Sequence, residues 1–265
     1  VSGAASAVLP PPTDDLDRAE HDLVEHGICA LTGVLDPETL RAVSDAFDHA
    51  ADDDQQRDLE LPGFPLDLDD SNQRVWNLLG RSPAFWDLAE HPIAMRLVKS
   101  LLGWPMLLGN ISGNVTSPGG AAGAVHADQI FVPQPWPAKP QGGNATWCID
   151  DFTADNGATS FVPDSHLANG PPPRDGSAIA IPYEAPAGSL VVFESRLWHC
   201  TGANTTADER RRAVFAWYTR PIYRTQENWF LSLDPSVRQT ASAQMLELLG
   251  FKTAGLGLVN GASPA

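Results

Sequence analysis

Little in this 265-residue chain offers covalent reinforcement or a positive field. It has three cysteines, Cys29, Cys148 and Cys200. An odd number at those spacings fits neither a disulfide framework nor a zinc site, and a reducing, cytoplasmic setting is the simplest. Basic residues are scarce: 17 lysines and arginines face 33 acidic residues, for a formal net charge of −16. Nucleic acids and anionic membranes select the opposite field, so neither is an expected partner. No run approaches the ~18 apolar residues that a membrane span needs. The opening VSGAASAVLPPP lacks a basic n-region and a proper apolar core, so it reads as a loose lead-in rather than a signal peptide. Hydrophobic content of 43% is ordinary for a globular protein, and a chain this long buries a sufficient core without staples.

The first third reads mostly helical. Asp14 or Asp15 caps a helix carrying Leu16, Ala19 and Leu23, closed by Gly27. ICALTGVL reads as a strand. Asp36-Pro37-Glu38 supplies an N-cap, a proline at the first helical position and an acidic first turn, with Leu40, Val43 and Phe47 following at helical spacing. The acidic, Pro/Gly-punctuated run ADDDQQRDLELPGFPLDLDDSN reads as a loop or mobile cover. Ser82-Pro83 starts another helix, and a further one runs from His91-Pro92 to Gly103.

From about residue 104 the pattern changes. PMLLGNISGNVTS, GAVHADQIFV, NATWCIDDF, ATSFVP, AIAIPYEA, GSLVVFES and RRAVFAWYTR are short β-rich runs separated by turn residues. They predict an antiparallel sandwich or barrel. The segment from Pro235 reads helical through Met245 and Leu249 and stops at Gly250. The front half has too few β runs to complete its own sheet. The expected organisation is therefore one domain over 1–265: a mostly helical 1–103 packed on a β core at 104–225, then a helical 226–265.

Within AVHADQI, His126 and Asp128 stand two apart in a strand-like run, which points both side chains the same way. They offer two metal ligands, and a third must come from elsewhere. His21, His26, His49 and His91 lie in the helical half, leaving His166 in FVPDSHLANG and His199 in RLWHCTGAN. His199 sits between two strong apolar strands, at the mouth of the β core. Two histidines and a carboxylate with open positions are the arrangement of non-haem Fe(II) oxygenases. Such iron takes a bidentate 2-oxo acid and then dioxygen. The acid's distal carboxylate calls for an arginine, and Arg210-Arg211-Arg212 opens the next strand.

HADQ at 126–129, WCIDDFTADNGATSFVPDSH at 147–166 and WHCTGANTTADERRRAVFAWY at 198–218 together resemble the phytanoyl-CoA dioxygenase family of Fe(II)/2-oxoglutarate-dependent oxygenases. The resemblance extends over about residues 15–255, with Asp164 where the family carries glycine before its Ser-His pair. It implies a mainly β fold with flanking helices around a cupin-like double-stranded β-helix, or jelly roll. It implies His126, Asp128 and His199 on Fe(II), with 2-oxoglutarate as cosubstrate and O2 as oxidant. Asp128 favours hydroxylation over halogenation, because the related halogenases replace this carboxylate with a small residue. Matching the strand phase Arg-x-Ala-Val-Phe assigns the distal carboxylate to Arg211, although the bare count favours Arg210. Thr201 would support it, and Trp147 matches an aromatic residue lining the family's cosubstrate pocket. Asn156-Gly157 reads as a turn with φ > 0 and His166 as structural.

Gln129, Phe131, Trp136 and Trp198 are expected to line the substrate space, with Trp76 and Phe64 covering it. Cys200 should face the opposite way. The expected reaction oxidises a C–H bond of a small, neutral, hydrophobic metabolite, such as a natural-product intermediate, releasing succinate and CO2. A cupin-like metalloenzyme without 2-oxoglutarate and a non-catalytic jelly-roll binding module are the alternatives. The expected assembly is a monomer or homodimer.

Overall fold

A computed structural model of the chain describes residues 8–56, 66–67, 69, 71–253 and 255–265. Helix α1 (Leu16–His26) begins where the Asp15 carboxylate accepts from the N–H groups of Asp17 and Arg18, and ends at Gly27 with φ 71°. Strand β1 (Ile28–Leu31) follows at once. Asp36 caps α2 (Pro37–Gln56) through the N–H groups of Glu38 and Thr39. This helix runs further into the acidic stretch than its composition predicts. Ala50 and Ala51 are buried on its inward face and hold the last turns against the core.

A four-residue strand, β2 (Asn72–Val75), was not expected at the end of that stretch. It is polar and short, and only its pairing with β3 (Leu107–Thr116) makes it a strand. Helices α3 (Ala84–Ala89) and α4 (Pro92–Leu102) lie where the sequence places them. The later strands are β4 (Gly142–Cys148), β5 (Ser160–Phe161), β6 (Ile181–Pro182), β7 (Leu190–Glu194), β8 (His199–Cys200) and β9 (Arg211–Thr219). A short helix α5 (Trp229–Ser232) follows the last strand, and two short helices, α6 (Val237–Thr240) and α7 (Ala243–Leu248), replace the single helix expected from Pro235 onward. The break is local: Ala241 is extended, and Ser242 leaves the helix to cap α7 through Met245 N–H.

Two antiparallel sheets result, one in the order β1-β7-β4-β9-β3-β2 and one in the order β6-β5-β8. Facing each other, they form the jelly roll. Strand alternation then creates two cores. On β9, Val214, Ala216 and Tyr218 point outward into a large core shared with the helices, where the Tyr218 hydroxyl donates to Ala89 O at 2.8 Å. Arg211, Ala213, Phe215 and Trp217 take the other phase and face between the sheets. Ala213 joins Ile28, Cys148, Phe161 and Phe193 in the inner core. Among the described residues no helix is long and apolar enough to cross a membrane.

Helix α2 is held to the sheet by Phe47, which is fully buried against Gly113 of β3. A Cβ at position 113 would lie 2.3 Å from Phe47 Cε2, so the ring rests directly on backbone. Phe47→Ala is expected to lower unfolding stability by about 3–5 kcal/mol, read from the urea midpoint at unchanged m-value.

Candidate metal centre and cavity

The two histidines are brought together by backbone. His126 N–H donates to His199 O at 2.9 Å, and His199 N–H donates to His126 O at 2.8 Å. Each Nδ1 lies against a nearby carbonyl, Ala124 O at 2.9 Å and Leu197 O at 3.0 Å. A carbonyl only accepts, so each ring carries a proton on Nδ1, which leaves Nε2 as the atom turned inward toward Asp128. Asp128 Oδ1 lies 3.7 Å from His126 Nε2 and 3.6 Å from His199 Nε2. These gaps are too long for hydrogen bonds, and two ligand bonds of about 2 Å each span them. Burial lowers the His126 pKa to about 4, with His199 reinforcing the shift, so the imidazole is a neutral ligand at pH 7. Among the described residues, this is the one cluster of His, Cys, Asp or Glu side chains able to hold a metal ion.

The expected strand over this segment is absent. His126 makes only an isolated bridge, and Asp128 opens a turn of 3-10 helix, Asp128–Phe131. Convergence therefore comes from the turn after the bridge rather than from strand alternation. Asn144 Nδ2 stands 3.5 Å from the outer oxygen, Asp128 Oδ2.

A cavity of about 680 Å³ opens over the three donors. Phe131 lines it as expected, T-shaped against Trp217 and Tyr223 with ring centroids 5.2 and 5.1 Å away. Thr201 and Trp76 line it too. Phe64 lies outside the described residues. Trp136 and Trp198 do not reach the cavity; they pack with Ala127 and Val132 in a small separate core. Their indole N–H groups donate to Val132 O and Gly170 O. Gln129 is fully buried behind the turn, its Oε1 accepting from Gln141 N–H at 2.9 Å. Trp147 also falls outside: it lies on the helix-facing side of β4, edge-on to His91 at 5.1 Å. Asn144 shows which phase of β4 faces the cavity, and Trp147 has the opposite parity. Cys200, expected on the far face, borders the cavity, and burial pushes its thiol up to about 11. His166 is buried against Gly27 and Glu194, away from the donors.

Sequence reasoning missed Asn110, Asn144, Phe215 and Trp217 as lining residues. A signal for two of them existed. Once Arg211 faces inward, alternation along β9 carries Phe215 and Trp217 to the same face.

The three consecutive arginines separate cleanly. Arg210 is exposed and pairs with Asp48, while Arg212 is bound outward by Asp150, Asp48 and Ser44. Arg211 is fully buried. Its Nε and Nη2 donate to Gly157 O at 3.0 and 2.6 Å, and Nη2 also donates to Thr116 Oγ1 at 2.7 Å. The Gly157 position has φ 86°, and a Cβ there would meet Thr116 Cγ2 at 2.6 Å, so the Asn-Gly turn is needed to bring this carbonyl under the guanidinium. Nη1 has no hydrogen-bond partner among the described residues. Burial lowers the Arg211 pKa to about 10, which leaves it charged at neutral pH. Arg211 is thus a buried cation with one idle donor, and no carboxylate pairs with it among the described residues.

The phytanoyl-CoA dioxygenase (PhyH) family model matches residues 23–213. The chain belongs to that family. The dioxygenase af480 of Aspergillus fumigatus is 35% identical over 248 residues, covering 92% of this chain and 79% of that protein. Two solved structures share the fold. HygX of Streptomyces hygroscopicus, with nickel, 2-oxoglutarate and hygromycin B bound, superposes with TM-score 0.64 at 17% identity, over 78% of this chain and 88% of that one. The non-haem α-ketoglutarate-dependent epimerase SnoN of nogalamycin biosynthesis gives 0.61 at 23% identity, over 83% and 89%. As a member of the phytanoyl-CoA dioxygenase family, the chain is a non-haem iron, 2-oxoglutarate-dependent dioxygenase. The donor set fits that metal, and the idle Arg211 donor fits a dicarboxylate.

Because Trp147 packs on helices, Trp147→Phe is expected to cost about 1–3 kcal/mol of stability and to leave 2-oxoglutarate affinity unchanged. Denaturant unfolding and 2-oxoglutarate titration on one preparation check both halves.

Proposed function

We propose that residues 1–265 form a single oxygenase domain in which His126, Asp128 and His199 hold iron(II) and Arg211 receives the distal carboxylate of 2-oxoglutarate. The single observation that carries this reading is the buried, half-satisfied Arg211 in a barrel whose mouth holds a two-His, one-carboxylate cluster. The shared core supports one domain, since it joins Leu23 of α1, Val98 of α4, Trp147 of β4 and Met245 of α7. Three buried free cysteines agree with a reducing, cytoplasmic setting.

When bound, iron with 2-oxoglutarate and O2 supplies oxidative decarboxylation to succinate and CO2 coupled to oxidation of a substrate C–H bond. The chain's own part is placement. His126 and His199 present Nε2 to the metal because Ala124 O and Leu197 O hold the Nδ1 protons. Asp128 supplies one negative charge, which retains a divalent ion without neutralising it. Arg211 orients the cosubstrate by its far end, with Thr116 and Gly157 fixing the guanidinium plane. Thr201 borders the cavity over the three metal donors and offers a hydroxyl donor. The aromatic wall of Phe131, Phe215, Trp217 and Tyr223 excludes water and accepts an apolar substrate body. A small, largely hydrophobic metabolite, such as a natural-product intermediate, suits it, with hydroxylation as the outcome that Asp128 favours.

Anaerobic addition of Fe(II) and then 2-oxoglutarate is expected to produce a weak visible charge-transfer band, lost in His126→Ala. Iron bound without that band would overturn the cosubstrate assignment. Arg211→Lys removes the planar fork and is expected to raise the 2-oxoglutarate KM at least about tenfold. Arg210→Lys, on the exposed Asp48 pair, leaves that KM where it was.

A further inference from the structure

Trp217 of β9 lies in register with Asn110 of β3 on one side and Asn144 of β4 on the other. In-register residues on adjacent strands share a face, so the three side chains form one row across the inner wall. All three line the cavity. The indole is pinned. Its Nε1–H donates to Ser195 Oγ at 3.0 Å, and Phe131 stands against it at 83°. A Cβ at Gly109 would come within 2.4 Å of its Cε3, so the ring lies on bare backbone.

The flanking amides are unusual in what they leave unused. Asn110 and Asn144 are 6% and 7% exposed. Asn110 Nδ2 donates to Ser112 Oγ at 3.2 Å and to Gln226 Oε1 at 3.0 Å. Asn144 Nδ2 leans on Asp128 Oδ2 at 3.5 Å, and a carboxylate only accepts, which turns the amide oxygen away from it. Oδ1 of each is buried with no hydrogen-bond partner among the described residues. Two orphaned acceptors in one cavity wall imply donors that arrive with a ligand.

We propose that Asn110, Trp217 and Asn144 form the substrate-recognition row, and that the substrate is a ring bearing hydroxyl or N–H donors on opposite edges. The proposal rests on the cavity being the oxygenase's substrate space. The ring stacks on or edges against Trp217, one rim donor reaches Asn110 Oδ1, and the other reaches Asn144 Oδ1. The second contact lies beside Asp128, so it fixes which ring carbon stands next to the metal centre. Rim groups that only accept, such as ethers, ketones and carboxylates, leave both amide oxygens unpaired and are selected against.

The test uses 1,5-dihydroxynaphthalene and 1,5-dimethoxynaphthalene as matched probes, titrated calorimetrically into anaerobic protein loaded with Fe(II) and 2-oxoglutarate. The diol is expected to bind at least about tenfold more tightly. Asn110→Leu and Asn144→Leu each reduce diol affinity roughly fivefold and leave the dimethoxy probe unaffected. Trp217→Leu weakens both probes. Equal affinity of the two probes, no saturable binding of either, or discrimination that survives both asparagine substitutions overturns the row. The visible band reports metal and cosubstrate loading independently. Its absence tells against the iron and 2-oxoglutarate assignment, and the same titration on metal-free protein still decides the row.

Discussion

Two backbone hydrogen bonds between His126 and His199 organise the site. They join segments far apart in the chain and set the two imidazoles 4.3 Å apart, centroid to centroid. Everything chemical is then referred to that bridge. The carbonyls on either side, Ala124 and Leu197, hold the ring protons, and the turn that begins at Asp128 brings the carboxylate between the rings. The turn is itself tied across: Gln129 N–H donates to Ser195 O, in the loop that leads to His199. A cluster of three donors without this frame would repel or collapse. With it, the donors stay at separations that a metal can bridge.

The second constraint is electrostatic and contradicts the global charge. A chain of net charge −16 keeps one arginine fully buried without a carboxylate partner among the described residues. Burying such a charge uncompensated is costly, and removing it by substitution with a hydrophobe would stabilise an ordinary core. Its retention beside Gly157 and Thr116 makes physical sense for a site that takes an anion. The acidic surface and the cationic interior do not conflict, because Asp48 and Asp150 neutralise the outward neighbours Arg210 and Arg212 and leave Arg211 for the interior.

Much of this is legible in the sequence alone. Asp15, Asp36, Gly27 and Gly103 mark helix ends by local chemistry alone, and six of the seven β-rich runs contain strands. The run holding His126 was misread because an alternating pattern looks the same in an extended loop that makes one bridge and then turns. Strand β2 was missed because polar residues carry no period that composition can reveal. Trp136, Trp147 and Trp198 were misplaced for a common reason: an aromatic residue near a motif is as readily core as pocket, and only the tertiary packing separates the two, through strand parity for Trp147 and a separate small core for Trp136 and Trp198.

The sequence by itself determined the family, the jelly-roll fold and the residue types able to hold iron, because those depend on motif order and local pattern. It also singled out Arg211, through the phase of one strand. Only the tertiary structure decided which aromatic residues face the cavity and that Asn110, Trp217 and Asn144 stand in one row. The reason is register: residues from β3, β4 and β9 become neighbours through inter-strand hydrogen bonds, and no spacing along the chain encodes which residue pairs with which.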